Sequence, residues 1–256
     1  MLSPIKKRTA KGKGLNTVFG GRELNNLALD LLVLGPGDTF TLETGEYEIA
    51  IVPLTGDAVF SSESGAYRLQ RESVWKTPAS ALCIPRDSNA AIRAERYSEF
   101  AMCKARTDEK RAVFHVPSGR EKTVGRDAWK RKVVDIIGQE EGASRIVLGE
   151  TFNPPGGWSS FPPHKHDTEI PGQEARMEEI YLFRLDPASG FGTQTIYGDQ
   201  GSHSFMVKDY DAVTIPWGYH PVSAMPGHSL YYLWFLAGEG RTLRPNTDPK
   251  FKWLEA

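Results

Sequence analysis

Short apolar runs that alternate in and out, cut every few residues by glycine or proline, constrain this chain more than any other feature. Glycine and proline together hold 42 of its 256 positions and fall between those runs. A helix cannot tolerate that punctuation, whereas β-strands joined by tight turns need it. Leu29–Leu34 ends at Gly35-Pro36-Gly37-Asp38, and Thr39–Glu43, Glu48–Leu54, Tyr67–Leu69 and Ala81–Pro85 follow as further strand candidates. The fold class expected is therefore all-β, built as barrels or sandwiches.

Sliding the chain against itself shows a repeat. Glu48-Ile49 and Glu179-Ile180 are 131 residues apart, and Ile84-Pro85 and Ile215-Pro216 share that offset. A duplicated barrel follows, with these expected bounds: a basic flexible arm over 1–22, a first barrel over 23–103, a connecting segment over 104–140 and a second barrel over 141–256. Composition bounds the function. A net charge of −1 with 25% charged residues gives no global field for nucleic acid or an anionic membrane. Lys6, Lys7, Arg8, Lys11, Lys13 and Arg22 precede the first acidic residue, Glu23, and read as a solvated tail. No apolar h-region or membrane-length run follows, and two cysteines, Cys83 and Cys103, make no disulfide framework, so a cytoplasmic protein is expected.

Chemistry concentrates in the second half. His164 and His166 flank one residue, so an extended backbone puts both on one face. A strand opening with Glu178-Glu179 comes next, and a third ends in a turn at His220. Two histidines, a carboxylate and a third histidine form a mixed nitrogen and oxygen set for a divalent transition metal. The first half has no His-x-His, and Asn89 stands at the offset of His220, so its copy is expected to be scaffold without metal. His115, His203 and His228 read as surface or structural.

These residues carry a resemblance. The run from Trp158 through Pro162-Pro163-His164-Lys165-His166-Asp167 resembles the 5-deoxy-glucuronate isomerases of myo-inositol catabolism, a two-cupin family. So do Glu178-Glu179-Ile180-Tyr181, Gly218-Tyr219-His220-Pro221-Val222 and Leu230-Tyr231-Tyr232-Leu233. The resemblance implies a bicupin fold and an aldose–ketose isomerisation of 5-deoxy-glucuronate to 5-keto-2-deoxygluconate. Twelve residues separate His166 from Glu179, more than in cupins generally but in keeping with the isomerases. Alignment to that family and the internal offset both select Glu179 as ligand beside His164, His166 and His220. Zinc suffices for a reaction without redox change, and manganese or iron also fit the ligands. Tyr181, Glu178 and Tyr232 are the candidate proton carriers, and Arg241 or Arg244 the candidate cations for the substrate carboxylate. A homo-oligomer is expected, since sheet edges need covering. The related 4-deoxy-5-ketouronate isomerase of pectin breakdown and an iron cupin dioxygenase are the alternatives.

Overall fold

The computed structural model describes residues 2–255. All its long elements are strands; Asp127–Trp129 and Pro249–Glu255, both 3-10 turns, are the helical pieces among the described residues. No helix among them is long and apolar enough to cross a membrane. The chain divides into two compact units. One takes the chain up to Arg8, Glu121–Asp135 and everything from Gly149; the other takes Thr9–Arg120 and Ile136–Leu148.

The unit containing Thr9–Arg120 is organised on the 16-residue strand Tyr47–Ser62. Its first part pairs with Ala81–Ile84 on one side and Ser98–Arg106 on the other. From Gly56 onward it pairs with Gly65–Arg71 and, from Ala58, with Asn89–Ala94. One strand thus serves two layers. The change occurs at a register shift between Pro53 and Thr55, next to Gly56, whose φ is +121°. A Cβ at Gly56 would fall 2.5 Å from the Ser98 Cα, so only glycine fits this bend. Leu32, Ile49, Ile51, Phe60, Phe100 and Met102 belong to one core cluster, with the Phe60 and Phe100 rings edge-to-face at 5.2 Å.

The other unit holds a seven-stranded sheet. Its order is Lys6–Arg8, Asp211–Ile215, Met177–Asp186, Ser229–Gly238, Val147–Asn153, Arg131–Ile137 and Arg120–Val124. A four-stranded sheet runs Trp158–Ser159, Val222–Ala224, Gly192–Gly198, Gly201–Val207. Met177–Asp186 lies between Asp211–Ile215 and Ser229–Gly238 as Tyr47–Ser62 lies between Ala81–Ile84 and Ser98–Arg106.

The internal repeat is visible in the register. Glu48 pairs with Ala105 and Glu179 with Leu236, so the corresponding members of the two pairs are 131 residues apart. On the other flank Ile49 faces Ile84, whereas Glu179 faces Ile215, a slip of one residue between the copies. Glu48 has lost any histidine company. Its buried carboxylate accepts hydrogen bonds from the Ser144 N–H (2.7 Å) and hydroxyl (3.0 Å), and from the Arg145 and Ile146 N–H groups (2.6 Å each). Backbone donors occupy the carboxylate instead, and the charge fixes the course of the 144–146 segment.

Two expected boundaries differ. The basic N-terminal stretch is not a loose arm throughout: Lys6–Arg8 is an edge strand with Lys6 opposite Val213 and Arg8 opposite Asp211. The Ile5 N–H reaches the Thr214 hydroxyl at 2.9 Å, and Lys6 pairs with Asp211 at 3.3 Å. Gly14–Phe19 in turn pairs with Leu27–Leu34, and Lys11 and Lys13 meet Glu99 and Asp38. These acidic partners lie far along the chain, which is why the stretch reads locally as a charged tail. The connecting segment is also divided: Phe114–Val116 extends the sheet at Ala81–Ile84, while Arg120–Val124 and Arg131–Ile137 join the seven-stranded sheet.

Candidate metal centre and cavity

Three of the expected ligands converge. One donor atom each of His166, Glu179 and His220 lies within 4.8 Å of the others, and all three residues are buried. The Glu179 Oε2 is 3.1 Å from His166 Nε2 and 3.3 Å from His220 Nε2. His164 stands beside them, its ring 5.0 Å from that of His220, half-buried in the cavity wall.

Each imidazole is held by its far nitrogen. The Nδ1 of His164, His166 and His220 faces the carbonyl of Pro162 (3.2 Å), Met177 (3.0 Å) and Gly218 (2.9 Å). An Nδ1–H donated to a carbonyl fixes the tautomer and leaves the Nε2 lone pair for a cation. The His220 Nε2 is buried and makes no hydrogen bond among the described residues, although a carboxylate oxygen is near. Two acceptors in contact without a proton or cation between them are unfavourable, so this donor set fits a divalent metal. Burial pushes the Glu179 carboxyl up, against the lowering effect of His166. Burial, with the neighbouring imidazoles His166 and His164, pushes His220 down. His164 is pushed down to about 4 by desolvation, His166 and, to a smaller degree, Arg131.

Local sequence explains the placement. Alternation along Met177–Asp186 sends Glu179 and Tyr181 to the cavity and Glu178 to the other face. The turn before His220 needs Gly218, with φ +87° and no room for a Cβ, which would meet the Tyr197 carbonyl oxygen at 2.7 Å. The Gly218 N–H donates to Asp167 Oδ2 at 2.6 Å, tying that turn to the segment that carries the histidine pair. The carbonyl of His220 accepts from Gln194 Nε2 at 3.0 Å.

The donors open on a cavity of about 240 Å³. Tyr181 and Tyr232 line it together with Ser160, whose hydroxyl is 2.9 Å from the Tyr181 Oη and 3.4 Å from the Tyr232 Oη. Ser160 adopts φ +47°, uncommon for a residue with a Cβ. Burial, with Glu179 and Tyr232 nearby, pushes the Tyr181 hydroxyl well up, so it keeps its proton at neutral pH.

The other sequence candidates are elsewhere. Glu178 is buried but does not line the cavity, and neither do Arg241 and Arg244. Lys165 is engaged by Asp167 and Glu174, and Arg184 by Asp209 at 2.8 Å, both as alternation away from the ligand face requires. His203 packs on Phe205 and Trp217, His115 lies against Tyr67, and His228 faces the Pro226 carbonyl. Sequence reasoning missed Arg131 and Lys122, which line the cavity from strands that carry no motif.

Comparison with known proteins follows this geometry. A protein named 5-deoxy-glucuronate isomerase from Geobacillus kaustophilus (strain HTA426) is 32% identical over 235 residues, 89% of this chain and 85% of its own. Its namesake from Bacillus subtilis (strain 168) is 30% identical over 241 residues, 91% of this chain and 89% of its own. The crystal structure of an IolB-like protein from Salmonella typhimurium LT2 matches with a TM-score of 0.93 at 28% identity, covering 98% of this chain and 99% of that one. Oxalate decarboxylase from Lactobacillus farciminis, in its formate complex, matches with a TM-score of 0.70 at 15% identity, over 98% and 90% of the two chains. That more distant likeness shows the fold alone, the duplicated cupin that the family resemblance implied. The KduI/IolB family matches residues 5–254, and with relatives at this identity and coverage the chain belongs to the KduI/IolB family.

Proposed function

We propose that the protein is a metal-dependent aldose–ketose isomerase that converts 5-deoxy-glucuronate to 5-keto-2-deoxygluconate, acting in inositol catabolism. The observation that carries this reading is the meeting of three carbonyl-locked imidazoles and Glu179 with two tyrosine hydroxyls on one cavity wall. The names of the relatives supply the substrate. His166, Glu179 and His220, with His164 beside them, hold a divalent cation, for which zinc suffices. Such a cation supplies Lewis acidity to adjacent carbonyl and hydroxyl oxygens as negative charge develops on them.

The remaining work falls to the protein. The reaction removes the proton at C2 of the sugar acid and returns one to the aldehyde carbon. Tyr181 and Tyr232 are the proton-bearing groups beside the donors, and Ser160 Oγ joins their hydroxyls. Tyr181, which keeps its proton, gives it to the aldehyde carbon while the oxygen of Tyr232 takes the proton from C2, and transfer through Ser160 Oγ then restores the starting pair. Glu178, on the far face of its strand, does not take part.

Running 5-deoxy-glucuronate in heavy water tests the proton path. Deuterium is expected at the former aldehyde carbon of the product, read by NMR. Product free of deuterium under every condition contradicts a carrier that exchanges with solvent. Absence of product from metal-loaded protein contradicts the substrate. The ligand assignment has its own check at the turn. Gly218→Ala forces a Cβ into the Tyr197 carbonyl and displaces the carbonyl that orients His220. Metal affinity is expected to fall about 10- to 100-fold, as when other groups that orient a ligand are lost. Titration with a competing chelator measures it, and unchanged affinity removes the turn from the account of the site.

A further inference from the structure

Arg131 begins the strand Arg131–Ile137 and lines the same cavity as Glu179 and Tyr181. Its Nη1 donates to two neutral carbonyls, those of Trp129 (3.1 Å) and Phe161 (3.0 Å). Its Nε is buried and makes no hydrogen bond among the described residues. No carboxylate pairs with it among them; its electrostatic neighbours are the Tyr232 and Tyr181 hydroxyls. The other cation of the cavity, Lys122, is already bound to Asp135 at 2.5 Å. A desolvated guanidinium without a counter-charge is unfavourable, and burial pushes Arg131 down from its ordinary value accordingly. An anionic ligand in the cavity would remove that penalty, because a guanidinium edge matches a carboxylate.

The placement suits a six-carbon acid. In the sheet the strand of Arg131 is three places from that of Glu179, roughly 14 Å between backbones at about 4.8 Å per strand. Both side chains project into the cavity and shorten that gap, and the charge of Arg131 is felt at His164, Tyr181 and Tyr232. Resting on the isomerase reading above, the geometry points to Arg131 as the group that receives the carboxylate of the sugar acid. It thereby sets the C1–C2 end toward His166, Glu179 and His220, and makes the site prefer uronates to neutral sugars.

Metal-loaded full-length Arg131→Gln and Arg131→Lys, with the wild type, test this in two arms. In the kinetic arm, Arg131→Gln is expected to raise the KM for 5-deoxy-glucuronate about 10- to 100-fold, the range for a hydrogen bond to a charged group, with a smaller change in kcat. Arg131→Lys recovers part of the KM, and metal content stays at the wild-type level. The binding arm is calorimetry with D-glucuronate and D-glucose, which differ at the carboxylate. Wild type is expected to prefer the acid, and Arg131→Gln to lose that preference. Should wild type bind glucuronate without turning over 5-deoxy-glucuronate, the isomerase reading fails while the binding arm still decides the role of Arg131. Unchanged KM and unchanged glucuronate affinity in both variants overturn the assignment. So does a wild type indifferent to the acid, or a loss of metal in step with activity, which marks Arg131 as scaffold. If Arg131→Gln does not fold, as judged by circular dichroism, Arg131→Lys decides through the same measurements.

Discussion

Replacing His220 with alanine is expected to remove the bound metal and lower turnover on the order of a thousandfold or more, since a metal Lewis acid contributes several kcal/mol to the barrier. The residue is fully buried, its Nε2 makes no hydrogen bond among the described residues, and its Nδ1 is already fixed by Gly218. Alanine leaves His166 and Glu179 facing each other at 3.1 Å as a simple ion pair. Elemental analysis of the purified variant should show the loss of metal together with the loss of activity. A variant with full metal and full activity contradicts the ligand assignment. Wild type should hold close to one metal per chain, because Glu48, the counterpart of Glu179, is occupied by backbone donors and has Asn89 where the offset places His220. A second tightly held ion that persists after His164 and His166 are both changed to alanine contradicts that.

A second large effect is expected at Glu48 itself, on stability rather than chemistry. Glu48→Gln keeps the shape but removes the charge and turns one acceptor oxygen into an amide donor, which faces either the Ser144 N–H and hydroxyl or the Arg145 and Ile146 N–H groups. Ser144 and Ile146 are buried and Arg145 is half-buried, so a lost partner is costly to replace there. The substitution is expected to destabilise the fold by about 3–5 kcal/mol, the scale for breaking a buried charge-assisted network. Urea unfolding measures it. Metal content in the folded fraction should not change, since the carboxylate belongs to the other unit from the ligands. A loss below about 0.5 kcal/mol, ordinary for a surface change, shows that the network is not what holds the 144–146 segment.

The two glutamates illustrate how duplication leaves a carboxylate that two environments use differently. Glu179 meets imidazoles that a cation can bridge, and Glu48 meets amide hydrogens that need none. Both lie near the start of a strand that is paired on both sides, and in both the flanking strand on one side keeps the same register. The difference lies in what comes before each along the chain: a His-x-His pair precedes Glu179, and no histidine occurs before residue 115.

Much of this was legible in the amino-acid sequence because its causes are local. Alternation with period two puts Glu178 and Glu179 on opposite faces, and the internal offset together with the family resemblance picks Glu179 as the inward one. Gly218 marks a turn because glycine adopts a positive φ without the cost that a Cβ carries there, and the His164 and His166 spacing puts both rings on one side of an extended backbone. The offset of 131 exposed the repeat before any pairing was known. What only the tertiary structure decided depends on partners distant along the chain. Strand pairing turned Lys6–Arg8 from a charged tail into a sheet edge against Asp211, a choice made by backbone groups that carry no sequence signal. The same pairing carried Arg131 to the cavity wall, because sheet order, not distance along the chain, determines which strand residues share a face with Glu179, while Arg241 and Arg244, in the loop after Gly238, do not line it although Leu243 and Pro245 do.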